Sequence, residues 1–421
     1  MPPSCRWQEK WTAEENRPES PANFSFQPFS YSAFPMKLTA LKTFICDAWR
    51  TNWCFVKIET DSGHHGWGEA TLEYREPTVI QAVRELERGL VNRDLRNIEA
   101  WWQDAYRDAY WRGGPVLMSA LSAVEMALWD IKGKALGVPV HQLLGGRVRD
   151  AVPCYANAWF ANAKTPDEFA AAAKIAIGMG YRALKWDPFG ATFRHLSAAQ
   201  LRDALAVVEA VKTATGTTAE LLIEGHGRFE FPTARRIARA LEDYDIQWFE
   251  EPLIPGNLEN YARLRADTRT PISMGERLYT RWEFREVFER GCADFIQPDV
   301  SHAGGIHELR KIAAMAEVWQ IPFCPHNPSG PVANAATLQL AACTPNFLYL
   351  ETMATDVPWR ADVARETCRL VNGEMQISDA PGLGVEINED ALAAHPYQVH
   401  DLRHYTGALT AIRPPDAKAT F

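Results

Sequence analysis

Eight short apolar runs, each followed by a stretch of helical periodicity, pass along the middle of this chain: "VPCYANA", "RALKWD", "ELLIEGH", "IQWFEE", "PISMGE", "DFIQPD", "IPFCPH" and "FLYLET". Near-continuous apolar runs of this length suit strands buried on both faces of a parallel sheet. The intervening segments carry helix signals. "TPDEFAAAAKIAIGMG" offers Thr165 as N-cap, Pro166 at the first helical position and Glu168 to close a capping box. In "SAAQLRDALAVVEAVKTATG", Leu201, Leu205, Val208 and Val211 share one face. Eight strand-helix units in succession predict an α/β fold, a (β/α)8 barrel.

In such a barrel the C-terminal ends of the strands form the working face. The second run ends with Lys185 and Asp187, the third with Glu224 and His226, the fourth with Glu250, the fifth with Glu276, the sixth with Asp299, the seventh with His326 and the eighth with Glu351. Any one of these alone reads as a solvated strand end; together they converge on one mouth. Residues two apart on a strand face the same side, so Glu224 and His226 are expected to look into the same space.

Glu224, Glu250 and Glu276 would crowd three negative charges on adjacent strands, a repulsion of several kcal/mol unless a proton or a cation relieves it. An oxygen-only triad on rigid strands suits a hard divalent ion, Mg2+ first and Mn2+ as a substitute. Of the neighbours Glu250 and Glu251 only one can face inward; Glu250 is chosen and Glu251 left to a structural ion pair. Asp299 and His326 end adjacent strands, the pairing expected of a general base. Lys185 supplies a positive charge opposite, and Glu351, raised by the surrounding carboxylates, is expected to carry a proton and donate to an oxyanion. Metal, electrophile and base describe proton abstraction beside a carboxylate, while His226 can protonate a group the substrate loses.

The rest of the chain frames this barrel. Residues 1–35 mix Pro, Ser, charges and aromatics without a period and read as a flexible extension. From Leu38 an alternating pattern with a turn at Asp61 to Gly63 predicts antiparallel strands, and "SALSAVEMALWDIKGKALG" predicts a helix stopped by Gly137. The domains expected are the extension (1–35), an α+β segment (36–148), the barrel (149–355) and a C-terminal segment (356–421) that returns to the first. A net charge of -9, with 44 basic against 53 acidic residues and no long basic block, argues against nucleic acid or an anionic membrane as partner. Eight scattered cysteines without a C-x-x-C pair, no bilayer-length apolar stretch and no basic-then-apolar start lead to the expectation of a cytoplasmic protein.

With these residues in place a likeness emerges. "GWGEATL", "SALSAVEMALWDIKGKALGVPVHQLLGG", "ALKWDPFG", "IEGHGRF", "WFEEP", "GERL", "IQPDVSHAGGI", "PFCPHNPSGP" and "GLGVEI" resemble, in order and over nearly everything after Met36, the mandelate racemase branch of the enolase superfamily. The resemblance implies an α+β capping domain, built from both chain ends, over a modified barrel. It places Glu224, Glu250 and Glu276 on the metal ligands, Asp299 and His326 on the dyad, Lys185 on the strand-two lysine and Glu351 on the strand-eight electrophile. Two positions depart: the third-strand ligand is usually Asp rather than Glu224, and a second lysine is replaced by Asp187. "GHGR" resembles the sugar-acid dehydratases of the branch, galactonate and gluconate dehydratases among them, in which the corresponding His assists departure of the β-hydroxyl.

The expectation is therefore an Mg-dependent sugar-acid dehydratase, in which His326 takes the C2 proton, Lys185 and Glu351 stabilise the enediolate and His226 protonates the leaving 3-hydroxyl. The product is a 2-keto-3-deoxy sugar acid. Asp187, Arg228, Asn327 and Arg50 are the candidate substrate contacts; Asp187 could equally orient Lys185 or His226. The rivals are an epimerase or cycloisomerase of the same superfamily and a catalytically silent ligand-binding barrel. Barrels of this family commonly assemble, so a homo-oligomer is expected. Which sugar acid is used is set by cap loops whose geometry the sequence does not give.

Overall fold

A computed structural model describes residues 35–107, 110–401 and 410–421. The expected extension at 1–35 falls almost wholly outside the described residues.

The first described elements form a three-stranded antiparallel sheet, β1 (Leu38–Asp47), β2 (Asn52–Thr60) and β3 (His65–Glu69), with Ile45 opposite Cys54 and Val56 opposite Gly68. The turn at Asp61 to Gly63 joins β2 to β3, and Gly63 takes φ +80°. Helices α1 (Glu76–Leu86) and α3 (Pro115–Leu136) cover the sheet, and α2 (Ile98–Arg107) packs against α3. β3 presses on α3 so closely that a Cβ at Gly68 would lie 1.8 Å from the Ala123 carbonyl oxygen, which is why the strand reads "GWG". α3 begins with Pro115 and stops at Gly137, whose φ of +67° is the left-handed C-terminal cap the sequence predicts. The short α4 (Val140–Leu143) leads into the barrel.

Strands β4 (Ala151–Asn157), β5 (Ala183–Trp186), β6 (Glu220–Glu224), β7 (Trp248–Glu250), β8 (Ile272–Met274) and β9 (Phe295–Ile296) run parallel in that order, and β10 (Leu350–Met353) returns to pair with β4. Between them lie α5 (Pro166–Gly178), α6 (Ala198–Thr215), α7 (Phe231–Leu241), α8 (Leu258–Asp267), α9 (Thr280–Arg290), α10 (Ile306–Val318) and α11 (Pro331–Ala342). The capping box of Thr165 and Glu168 is present, and α6 opens with a second one from Ser197 and Gln200. The seventh apolar run is a correction to the expected strand. It contributes only isolated bridges from Phe323 to Ile296 and Phe347, because Pro322 and Pro325 lack the N–H a ladder needs. Tyr155, Ala183, Leu222, Trp248 and Cys324 pack together inside the ring of strands, so the barrel is filled by side chains.

The C-terminal segment adds a hairpin (Arg369–Val371 with Glu374–Gln376) at the start of β4, and a two-stranded pair, Ala364–Glu366 with Val385–Ile387. It then reaches the first sheet: Glu386 pairs with Lys134 and lies 2.9 Å from His65 Nε2, and His400 Nε2 lies 2.8 Å from Asp47 Oδ1. His65, the first residue of β3, is held by this carboxylate. The described cysteines are buried and free, and no helix among the described residues is long and apolar enough to cross a membrane.

Candidate active site

Strands β6, β7 and β8 deliver the three glutamates. β6 and β7 pair with Glu224 directly opposite Glu250, and Glu276 follows two residues after β8. Ligand oxygens of the three lie within 4.8 Å of one another. Two cations already press on them: Lys185 Nζ is 2.7 Å from Glu250 Oε1 and 3.6 Å from Glu224 Oε2, and Arg277 Nη1 is 2.5 Å from Glu276 Oε1. Burial and the carboxylates of Glu250 and Glu276 nevertheless push Glu224 well above the ordinary carboxylate range. Glu276 goes the other way, because Arg277, His326 and Lys185 overcome the cost of its burial. Oxygen donors that close, with negative charge left over, fit a hard divalent cation typical of such triads. Glu251 turns away, accepting from Tyr261 Oη at 2.9 Å and the Gly275 N–H at 2.8 Å and lying 3.4 Å from Arg277, the ion-pair role expected of it.

His226 does not sit on an extended strand, as the i, i+2 rule supposed. β6 stops at Glu224, and His226 turns into the left-handed region at φ +51°, its N–H donating to Glu224 Oε1 at 2.5 Å. The ring reaches the same mouth through a tight turn. Its Nδ1 lies 2.5 Å from Asp187 Oδ2, so of the alternatives for Asp187 the structure places it against His226. Asp187 is buried and doubly bonded by Arg228 Nη2. Burial alone would raise its carboxyl, but Arg228 and His226 hold it below the usual range.

His326 Nδ1 lies 2.7 Å from Asp299 Oδ2, and its Nε2 is 3.2 Å from Glu276 Oε2. Burial pushes this imidazole down, yet Glu276, the Asp299 hydrogen bond and Glu351 together raise it to about 9. Asp299 also accepts from the Ser301 N–H at 2.6 Å. The loop behind it is gripped from α3 and α2. Ser119 Oγ is 2.8 Å from His302 Nδ1, Ser122 Oγ accepts from the Gly304 N–H, Trp102 Nε1 donates to the Gly304 carbonyl, and Glu125 accepts from the N–H groups of Ile306 and His307. Glu69 does the same for the helix after His326, accepting from the N–H groups of Gly330, Val332 and Ala333.

Glu351 departs from its expected state. Instead of a ring of carboxylates it meets donors: Lys185 Nζ at 2.9 Å, Asn157 Nδ2 at 2.8 Å and the Asn327 N–H at 2.7 Å. Burial raises its carboxyl, but Lys185 and His326 outweigh that and hold it below the ordinary range, so it is an acceptor and not a protonated donor. Lys185, pulled down by burial, is carried well above its usual range by Glu250 and Glu351.

The remaining candidates divide. Arg50, Tyr74, Asn157, Phe160, Lys185, Asp187, Glu224 and His226 line one cavity, completed by Trp186, Met353 and Ile412. Arg50 comes from the loop between β1 and β2 and lies 2.5 Å from Glu73. Arg228 and Asn327, expected as substrate contacts, are off this wall. Arg228 is fully buried, and Asn327 spends its amide on Asn334 and the Glu351 carbonyl. Both brace other site residues because their polar atoms are already engaged by the protein. Sequence reasoning missed Asn157, which is the last residue of β4 and is polar but not ionisable, and Gln297 and Trp248, which donate to Glu250 Oε2 at 2.7 and 2.9 Å. The signal for Asn157 was available: it occupies the same strand-end position as the residues that were chosen.

Residues 34–145 match the mandelate racemase / muconate lactonizing enzyme N-terminal domain, and residues 168–391 match the enolase C-terminal domain-like family. The chain is 39% identical over 375 residues to a D-galactonate dehydratase of Pectobacterium atrosepticum, covering 88% of this chain and 97% of that one. It is 38% identical over 346 residues to a D-gluconate dehydratase of Thermoproteus tenax, covering 82% and 70%. The crystal structure of a mandelate racemase/muconate lactonizing enzyme from Sulfitobacter sp superposes with a TM-score of 0.83 at 32% identity, over 87% of this chain and 97% of that one.

Proposed function

The chain belongs to the mandelate racemase / muconate lactonizing enzyme family, of the enolase superfamily, and from that premise we propose that it dehydrates a sugar acid, an aldonate or aldarate, to a 2-keto-3-deoxy sugar acid. The observation that carries this reading is the pair of imidazole–aspartate couples, His326 with Asp299 and His226 with Asp187, beside one carboxylate triad. One imidazole suffices to remove a proton; a second in the same mouth has work to do when a hydroxyl must leave as water. Relatives that bear dehydratase names at 38 to 39% identity support the same class.

Glu224, Glu250 and Glu276 would hold Mg2+, with Mn2+ as a substitute, and the ion supplies the positive charge that makes the hydrogen beside a carboxylate removable. His326 takes the C2 proton on Nε2, its Nδ1–H kept on Asp299. Lys185 brings its charge to the oxygen side of the developing enediolate, held there by Glu351. His226 gives its proton to the departing 3-hydroxyl, and the enol product tautomerises to the ketone. Arg50, on the cavity wall, is placed to meet the far end of the substrate.

A panel of aldonic and aldaric acids, D-galactonate and D-gluconate included, is incubated with enzyme and Mg2+ in D2O. The expected result is a 2-keto-3-deoxy acid from at least one of them. Deuterium entering C2 with no keto acid formed would point to an epimerase instead, and neither change with any acid would end the reading.

A further inference from the structure

Where the resemblance implies a second lysine, two residues after Lys185, this chain has Asp187, and both of its carboxylate oxygens are engaged by the protein. Its side chain is fully buried. Arg228 Nη2 donates to both of its oxygens, and the Phe189 N–H donates to Oδ1 at 2.8 Å. Arg228 is fixed in turn: its other N–H groups donate to the carbonyls of Gly225, Gly190 and Thr192, and the rings of Phe189 and Phe229 lie 5.8 and 5.4 Å from the guanidinium. The remaining partner of Asp187 Oδ2 is His226 Nδ1, at 2.5 Å, on a ring whose side chain is 19% exposed and lines the cavity.

We propose that Asp187, clamped by Arg228, is a positioning residue that keeps His226 with hydrogen on Nδ1 and Nε2 toward the cavity, so that the leaving-hydroxyl step has a dyad of its own. The inference rests on the dehydratase reading for its chemistry. In that step the C3–O bond breaks with its electron pair on oxygen, the Nε2 proton of His226 joins it, and water departs. The electrons left at C2 when His326 took the proton become the C2–C3 double bond, so no oxidant or reductant is needed. The donor is the imidazolium form of His226, with hydrogen on both nitrogens: the carboxylate that accepts from Nδ1–H fixes the ring plane and aims Nε2–H at the departing oxygen, and the ring is left neutral when that proton goes.

The test uses the sugar acid the wild-type enzyme turns over, with its 3-deoxy-3-fluoro analogue, whose fluoride leaves without a proton. Asp187→Asn is expected to slow loss of the hydroxyl by roughly 10²-fold, the scale of one positioned acid, and loss of fluoride by less than about tenfold. Exchange of C2–H with D2O should continue, and Asp187→Asn should add nothing further in a His226→Gln background, as expected of residues acting as one unit. Equal slowing of hydroxyl loss, fluoride loss and exchange, or additive effects in the double variant, would overturn the proposal. If Asp187→Asn fails to fold because Arg228 is left unpaired, Asp187→Asn with Arg228→Gln removes both charges and should give the same pattern. Nitrogen-15 spectra of the His226 ring separate this from the parent reading. If no sugar acid reacts but His226 carries its hydrogen on Nδ1 in the wild type and loses that preference in Asp187→Asn, the dehydratase reading fails while the positioning role stands. Turnover without such a preference overturns the role alone.

Discussion

His326 and His226 each turn Nδ1 to a buried aspartate, at 2.7 and 2.5 Å, and each side chain is 19% exposed. What stands behind the two aspartates is different. Asp299 is met by a backbone N–H and, at 3.9 Å, by His302, and among the described residues no lysine or arginine pairs with it. Asp187 shares its charge with the guanidinium of Arg228. A carboxylate left with its full charge makes the imidazole beside it a stronger base, whereas a compensated one orients the ring and adds little field. The same two-residue pairing thus suits a base on one side of the mouth and a placed acid on the other. The supports also come from different quarters: α2 and α3 brace the Asp299 loop, and the barrel's own third loop braces Asp187.

The largest effect should separate the two couples. His326→Asn is expected to lower both C2 deuterium exchange and dehydration by roughly 10⁴-fold, the upper end for a general base. His226→Asn should lower dehydration by roughly 10²- to 10³-fold and spare exchange. Loss of exchange in both variants would erase the contrast. Chelation with EDTA should depress exchange and dehydration alike, by roughly 10³-fold or more, since both couples depend on the same cation; readdition of Mg2+ should restore them. Survival of either activity would detach that couple from the triad.

A smaller change is expected from Asn157→Ala, which removes one donor from Glu351 and loosens Lys185. Turnover should fall by about tenfold, with exchange and dehydration falling together, the scale of one lost hydrogen bond to a charged group. A selective loss of dehydration would move Asn157 to the His226 side. The smallest effect on turnover should come from Glu125→Gln, in the brace behind Asp299. Burial pushes the Glu125 carboxyl up to about 8 from an ordinary 4.5, against the pull of the His307 and Ile306 N–H groups. Because the folded-state value is raised, this group's contribution to stability is complete below about pH 4.5 and is lost as pH rises through about 8. The Tm of the parent protein should therefore decline by a few degrees over that interval, and that of Glu125→Gln should decline less. Parallel curves would remove the carboxyl from the account.

Much of this was legible before the structure. Strand-end glutamates, the His326 and Asp299 neighbours, and the caps at Thr165 and Gly137 all follow from short-range rules, and the structure has them in place. Three things were not. Glu351 was expected to be surrounded by carboxylates, but a strand pattern gives the order of residues around the mouth and not which donors reach inward. Arg228 and Asn327 looked like substrate contacts from their sequence position next to functional residues, yet neighbours in a loop can point into the wall. His226 reached its place through a left-handed turn, a backbone choice that the apolar pattern of the run does not encode. Contacts between distant segments, such as Glu69 with α11, have no periodic signature at all.

Those distant contacts carry a cost in time. The brace from Glu125 to Ile306 and from Glu69 to Ala333 spans 181 and 264 residues, and closures of that length are among the last to form in a chain that must first assemble its local pieces. A refolding chain should accordingly regain its helical signal well before it regains turnover, with the histidine on the seventh unit the latest part to become competent. Removal of either long-range carboxylate should lengthen that lag and leave the early phase unchanged.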